Sequence, residues 1–336
     1  MKPRYSADFV TKEAVFTELM HHDIHQMWQQ RKKHVFSGIG GIPIHGISLC
    51  ESGTTFLPHE RYCVVIVNGR NESVWKYQEV IFEYVTRGFD VYAYDHRGQG
   101  ASGRLAADPE VGHVDSFDDY VADLETFIEN IVQPSRYSRC FLLAHSMGGA
   151  ISTLYLEQHP DVFNAAVLNA PMFGIHMSGA LRLVAPAVAK IFDLYQSVPT
   201  YALGQKAYHE LPFEQNDQCQ SQLRYVWAKH LYQTHPELRV GGPSARWVWQ
   251  AIRAAKHCIQ DAGKLQTPLL LLQAENDTIV DNRAQLLFDD HTDRCQLKVI
   301  ESARHELLME KDELRDQVFS ETMKFFEQFF EEKCAW

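Results

Sequence analysis

The feature that most constrains this chain is an alternation of short apolar runs with segments of helical periodicity. Tyr62–Val67 reads as a continuous apolar strand, 72–85 as a helix with apolar positions at Val74, Tyr77, Ile81 and Val85, and 89–94 as the next strand. The segment 116–132 reads as a second helix, opened by a capping-box-like Ser116-x-x-Asp119. An apolar strand at Phe141–Ala144, a helix from Met147 through Leu156 and a further strand at 165–168 continue the rhythm. Strands at 269–273 and 297–300 resume it, and a stripe of Val318, Phe319, Met323, Phe326 and Phe330 marks a closing helix over 312–332. Such a repeat predicts a mostly parallel sheet with helices on both faces. Ahead of it, the alternating segment 35–50, interrupted by Gly40-Gly41 and Pro43, predicts an antiparallel hairpin.

Two stretches depart from the rhythm. Residues 9–30 carry Phe16, Leu19, Met20, Ile24, Met27 and Trp28 at helical spacing, which predicts a helix docked on its own domain rather than on a membrane surface. Between 176 and 262 the strands stop, and short helices rich in Tyr, Trp, Leu and Ala are punctuated by Pro186, Pro199, Pro212, Pro236 and Gly241-Gly242-Pro243. This insertion reads as a helical cap between two core strands. The division expected is an N-terminal helical extension over 1–34, a first core part over 35–175, the cap over 176–262 and a second core part over 263–336.

The junction of strand and helix at Ala144-His145-Ser146-Met147-Gly148-Gly149 carries the chemistry. A serine between small residues on a strand-to-helix turn is a nucleophile elbow, whose tight bend excludes larger side chains at 144 and 148. The competing reading is a turn serine capping the next helix. A serine hydroxyl needs a base to take its proton and a third group to orient that base. In this architecture the acid and then the histidine follow the nucleophile along the chain, at the carboxyl ends of later strands. Asp277 is the first candidate for the acid, with Asp281 second and Glu275 third, all on the loop after strand 269–273. Among 17 histidines, His305 stands on the loop between the last strand and the last helix and is the candidate base. The oxyanion formed on attack requires N–H donors. They are expected from the backbone of Met147 and from the loop Asn68-Gly69-Arg70, through the N–H of Arg70.

Composition bounds the rest. The chain has 336 residues, 45% of them hydrophobic, and a net charge of −11, so no basic stripe exists to neutralise nucleic-acid phosphates. Seven cysteines show no Cys-x-x-Cys pair or ligand spacing, and most fall in apolar segments, as expected of free thiols in a reducing compartment. His21, His22 and His25 lack a neighbouring carboxylate or thiolate set and read as a solvated helix face, so no metal site is expected. The N-terminal thirty residues are too charged for a signal peptide, and no apolar run approaches the roughly 20 residues of a membrane span. The cap carries nine basic against six acidic side chains, which suits either an anionic surface or an ordinary solvated one. Asp95-His96-Arg97-Gly98-Gln99-Gly100 lacks the spacing of a phosphate loop and reads as a structural turn.

Together, Asn68-Gly69-Arg70-x-Glu72-Ser73 with Lys76-Tyr77, Asp95–Gly100 with Ser102-Gly103-Arg104, the elbow, Ala170-Pro171-Met172-Phe173-Gly174, Gly241-Gly242-Pro243 and Val280-Asp281-Asn282-Arg283 resemble bacterial lysophospholipases. These form part of the monoacylglycerol-lipase-like branch of the α/β hydrolases, and the resemblance runs from about residue 35 to the last helix. It implies an α/β-hydrolase fold and cofactor-free removal of the acyl chain of a lysophospholipid or other monoacyl lipid. It also implies Ser146, Asp277 and His305 as the triad, and a cytoplasmic location with loose attachment to the inner membrane. No protein partner is indicated. Where monoacylglycerol lipases carry His-Gly and a small residue, this chain has Asn68-Gly69-Arg70, a departure that points away from a neutral glyceride. The Arg70 guanidinium is therefore a candidate for pairing with a substrate phosphodiester. Monoacylglycerol hydrolysis, a serine aminopeptidase activity and a non-catalytic binding role are the alternatives.

Overall fold

A computed structural model describes residues 10–50, 61–177, 187, 190–191 and 198–330. Two short helices, α1 (Glu13–His21) and α2 (Asp23–Gln29), open the described chain. The single helix expected there is broken at His22, whose φ of −117° and ψ of −87° are not helical. Its apolar face docks inward as predicted, with Phe16, Leu19, Met20, Ile24, Met27 and Trp28 all buried in the main core. His21, His22 and His25 are exposed.

The predicted hairpin is formed by β1 (Lys32–Ser37) and β2 (Pro43–Leu49), paired antiparallel. Then follow β3 (Tyr62–Val67), α3 (Gln78–Thr86), β4 (Asp90–Tyr94), α4 (Asp118–Phe127), β5 (Arg139–His145), α5 (Met147–Gln158) and β6 (Ala165–Asn169). In the cap lie α6 (Gln222–Thr234) and α7 (Ala245–Gln260). The chain returns through β7 (Leu269–Ala274), α8 (Asn282–Asp289), β8 (Cys295–Ile300) and α9 (Asp312–Glu327). All eight strands join one sheet in the order β1-β2-β4-β3-β5-β6-β7-β8, with β3 to β8 parallel and β2 antiparallel to β4.

The strand order reverses direction after β4, since β4 lies on one side of β3 and β5 on the other. Right-handed crossovers then put α3 on one face of the sheet and α4, α5, α7 and α8 on the opposite face. Loops from the two windings diverge at the carboxyl ends of β3 and β5, which leaves a crevice there. Strands β3 to β7 are buried almost throughout, which explains their unbroken apolar character.

Two local expectations change. Residues 72–77 form a loop and a 3-10 turn before α3 starts, so the helix is shorter than its periodicity. The capping box at Ser116 is absent: α4 follows Phe117 without a side-chain cap, and the Asp119 carboxylate accepts from Arg97 Nη1 at 3.1 Å. Arg97 belongs to the turn after β4, which is a structural device as predicted. Asp95 in that turn accepts from Val74 N at 2.7 Å, Ser73 Oγ at 3.0 Å and Ala101 N at 2.8 Å, clamping it to the loop after β3. Burial lifts the Asp95 carboxyl to about 6, and those donors work against the rise.

Candidate active site

The bend between β5 and α5 is built by close approach. Ser146 has φ 51° and ψ −118°, a strained conformation for a non-glycine residue that turns its side chain out of the sheet. A Cβ at Gly148 would lie 2.2 Å from the carbonyl oxygen of Val67, so glycine is required there. Ala144, in register with Val67 of β3, is buried within the sheet, where its methyl is accommodated. The elbow is held by Ser146 N donating to Asn169 O at 3.0 Å and by Met172 N donating to Ser146 O at 2.9 Å. Ser146 makes no side-chain cap to α5, which removes the capping interpretation.

Its hydroxyl instead faces His305. Ser146 Oγ lies 3.0 Å from His305 Nε2, and His305 Nδ1 lies 2.6 Å from Asp277 Oδ2. With Nδ1 donating to the carboxylate, Nε2 carries a lone pair and accepts the serine proton. Asp277 is fixed by its second oxygen, which accepts from Ile279 N at 2.8 Å and Val280 N at 2.9 Å. Burial works to raise the Asp277 carboxyl, but the bond to His305 and these donors outweigh it and hold it below the usual range. The two rival acids serve elsewhere: Asp281 caps α8 through Arg283 N at 3.0 Å, and Glu275 accepts from Ser302 N at 2.7 Å. Loops after β5, β7 and β8 thus bring the three first-choice residues together.

Opposite the serine, the loop after β3 approaches closely. A Cβ at Gly69 would sit 3.3 Å from Ser146 Cβ and 2.8 Å from Glu72 Oε2. Met147 is the first residue of α5, so its N–H has no acceptor one turn earlier in the helix. The Arg70 side chain crosses to the cap, where Nη2 donates to Gly241 O at 2.7 Å and the guanidinium lies 4.8 Å from the Trp247 ring centroid. Among the described residues its buried Nε has no hydrogen-bond partner, and burial lowers the guanidinium to about 10.

Residue-type reasoning missed a cluster beneath these loops. Lys76 Nζ donates to Glu72 Oε1 at 2.8 Å and to Glu306 Oε1 at 2.6 Å. Glu72 Oε2 also accepts from Gly69 N at 2.6 Å and from the Tyr77 hydroxyl at 2.6 Å. All three charged groups are buried. One ammonium therefore connects the expected oxyanion loop to the residue after His305. Burial pushes the Glu72 carboxyl up, and the Lys76 charge with its hydrogen bond overcomes this and brings it down to about 2. His145, whose ring centroid is 4.8 Å from that of His305, is kept neutral to lower pH than usual by its burial. The available signal was Glu72 and Lys76 four residues apart beside Val74 and Tyr77, which a single sequence cannot distinguish from a solvated helical pair.

The serine, His305 and Met172 line a cavity of about 490 Å³, whose other walls include Ile175, Leu203, Trp247 and Val248. This is an apolar pocket of small-molecule size with a few polar groups converging at one point. Among the described residues no group of three or more His, Cys, Asp and Glu could hold a metal ion, and no helix is long and apolar enough to cross a membrane.

A sheet of this order, interrupted by a cap and carrying a serine elbow with a hydrogen-bonded His–Asp pair, defines an α/β hydrolase. The model of the serine aminopeptidase S33 family matches residues 58–312. The chain belongs to that family. It is 38% identical to lysophospholipase L2 of Escherichia coli, over 95% of this chain and 94% of that protein. It is 27% identical to a monoacylglycerol lipase of Mycolicibacterium smegmatis, over 84% of this chain and 93% of the relative. In fold it is similar to a soluble variant of monoglyceride lipase from Saccharomyces cerevisiae, with a TM-score of 0.68, 17% identity and coverage of 89% and 96%.

Proposed function

We propose that this protein is a serine esterase that removes the single acyl chain of a lysophospholipid, releasing a fatty acid and a glycerophosphodiester. The observation that carries the reading is the continuous hydrogen-bond chain from Ser146 through His305 to Asp277 at an apolar cavity. The extensive similarity to a lysophospholipase supports the substrate class.

In this mechanism His305 takes the Ser146 proton as Oγ attacks the ester carbonyl, while Asp277 holds the imidazole in the accepting tautomer. Charge on the carbonyl oxygen is met by the N–H groups of Met147 and Arg70. Collapse expels the glycerophosphodiester alcohol with the proton returned by His305, leaving an acyl-enzyme. Water, activated by the same imidazole, then releases the fatty acid. The Arg70 guanidinium, buried with no carboxylate partner among the described residues, favours an anionic leaving group over a neutral glyceride. Leu203, 79% exposed on a cap segment that borders the cavity, provides an apolar contact for a lipid surface from which substrate would enter. Approach from the cytoplasmic face of a membrane is part of this proposal.

Purified Ser146→Ala should lose about 10⁴- to 10⁶-fold in kcat on lysophosphatidylcholine. A fluorophosphonate probe should label wild type and leave the variant unlabelled. Retention of a tenth of the activity would overturn the mechanism. A monoolein and aminoacyl-amide panel tests the rival substrates, and preference for the amide would identify a peptidase.

A further inference from the structure

A second cavity of about 430 Å³ lies under the cap, and its lining shares Arg70, Asn71, Glu72, Gln205, Gln218 and Glu306 with that of the first. Its character is different. The first is walled by Met172, Ile175 and Val248, whereas the second is bordered by Tyr208, Tyr225, Tyr232 and Lys229. Four cationic side chains face it against three carboxylates, and two of those carboxylates, Glu72 and Glu306, hold the Lys76 ammonium between them.

Several of its polar groups have unused capacity. Lys229 sits on α6 with its ammonium 4.9 Å from the Tyr225 ring centroid and 5.9 Å from that of Tyr208. Among the described residues no carboxylate makes an ion pair with it. The Tyr208 hydroxyl, Arg70 Nε and Asn71 Oδ1 are buried without hydrogen-bond partners among the described residues. A buried donor left unmatched costs stability, so a site that keeps three donors and an acceptor open is organised for a polar occupant. Cations framed by aromatic faces, with hydroxyl and guanidinium donors beside them, match a phosphodiester monoanion. Adjacent chambers of opposite polarity also match an amphiphile with its ester at Ser146.

We infer that the second cavity is the headgroup chamber, in which Lys229 and Tyr208 bind the phosphodiester of the substrate while the acyl chain occupies the apolar cavity. This rests on the lysophospholipase reading. It adds two specificity residues from the cap and makes the substrate span both chambers, with Arg70 on their common wall.

The test compares wild type, Lys229→Gln, Lys229→Arg and Tyr208→Phe on lysophosphatidylcholine and on a monoacylglycerol of the same chain length. The ratio of kcat/KM for the first over the second should fall about tenfold in Lys229→Gln, through KM, and recover in Lys229→Arg. Tyr208→Phe should lower it about threefold. Glycerophosphocholine should inhibit hydrolysis of a short p-nitrophenyl ester by wild type, at least tenfold more weakly in Lys229→Gln. Inhibition by inorganic phosphate at equal potency would overturn the headgroup assignment by making this a general anion site. If wild type cleaves lysophospholipid and the ratio is unmoved in Lys229→Gln, the chamber assignment alone falls. If wild type cleaves only monoacylglycerol, the functional reading falls and the chamber assignment with it.

Discussion

Two clusters of buried charge lie along one stretch of this chain, and they do different work. The first joins Glu72, Lys76 and Glu306 beneath the candidate site. The second joins Glu79 and Glu83 to Arg224 of the cap and Arg315 of α9. Arg224 Nε lies 3.0 Å from Glu79 Oε2, Arg315 Nη1 lies 3.0 Å from Glu83 Oε1, and Thr11 N donates to Glu83 Oε1 at 2.7 Å. That second group fastens the N-terminal segment, α3, the cap and the last helix at one point. It is balanced: Glu79, Glu83 and Asp312 stand against Arg87, Arg224 and Arg315. The first has two carboxylates for one ammonium and ends on two loops of the candidate site: one carries the expected oxyanion donor, the other His305. Burial of charge alone therefore does not identify function. What the charges hold in place does.

The largest effect should come from the fastening cluster. Arg315→Met removes the guanidinium that α9 places on Glu83, leaving that carboxylate to Arg87 and Thr11, and should cost about 3 kcal/mol in urea unfolding, the low end for a broken buried pair. The turnover of the remaining folded enzyme on a short ester should be unaltered. A fall in kcat with stability intact would erase the distinction between the clusters.

Glu72→Gln should do the reverse. Its loss leaves Lys76 to Glu306 alone and loosens the Gly69 N–H, so kcat should fall about 10- to 100-fold with KM changing less than about threefold. Glu72 acts here as a positioning residue. Unfolding at neutral pH should shift less than in Arg315→Met, and a larger shift with unchanged kcat would assign the first cluster a purely structural role.

The smallest effect is a pH dependence. Because the folded Glu72 carboxyl is depressed to about 2, the unfolded chain binds the proton first as acid is added. The stability it contributes is complete above the ordinary glutamate range of about 4.3 and drains away as pH falls toward 2. The stability difference between wild type and Glu72→Gln, measured by urea titration at pH 6, 5, 4 and 3, should narrow with acid. A constant difference would mean that Glu72 is not held ionised by Lys76.

Most of the fold was legible because a parallel sheet buried on both faces writes itself as unbroken apolar runs such as Leu269–Leu272 and Val64–Val67. The elbow was legible for a similar reason: its tight bend admits only small side chains, and Gly148 meets backbone where any Cβ would stand. Helix ends were less so. Ser116 and Asp119 match a capping box in sequence, but Arg97, from a turn 22 residues away, claims the Asp119 carboxylate.

By itself, then, the sequence determined the α/β order, because it follows from periodicity, and it proposed a serine, an acid and a histidine at strand ends met in chain order. Tertiary structure decided which carboxylate reaches His305, since Asp277, Asp281 and Glu275 share one loop and only side-chain direction separates them. It also decided that Lys76 meets Glu306, 230 residues further along the chain, and that Lys229 and Tyr208 face a chamber beside the serine. Those outcomes depend on distances across the fold, which spacing along a single chain does not encode.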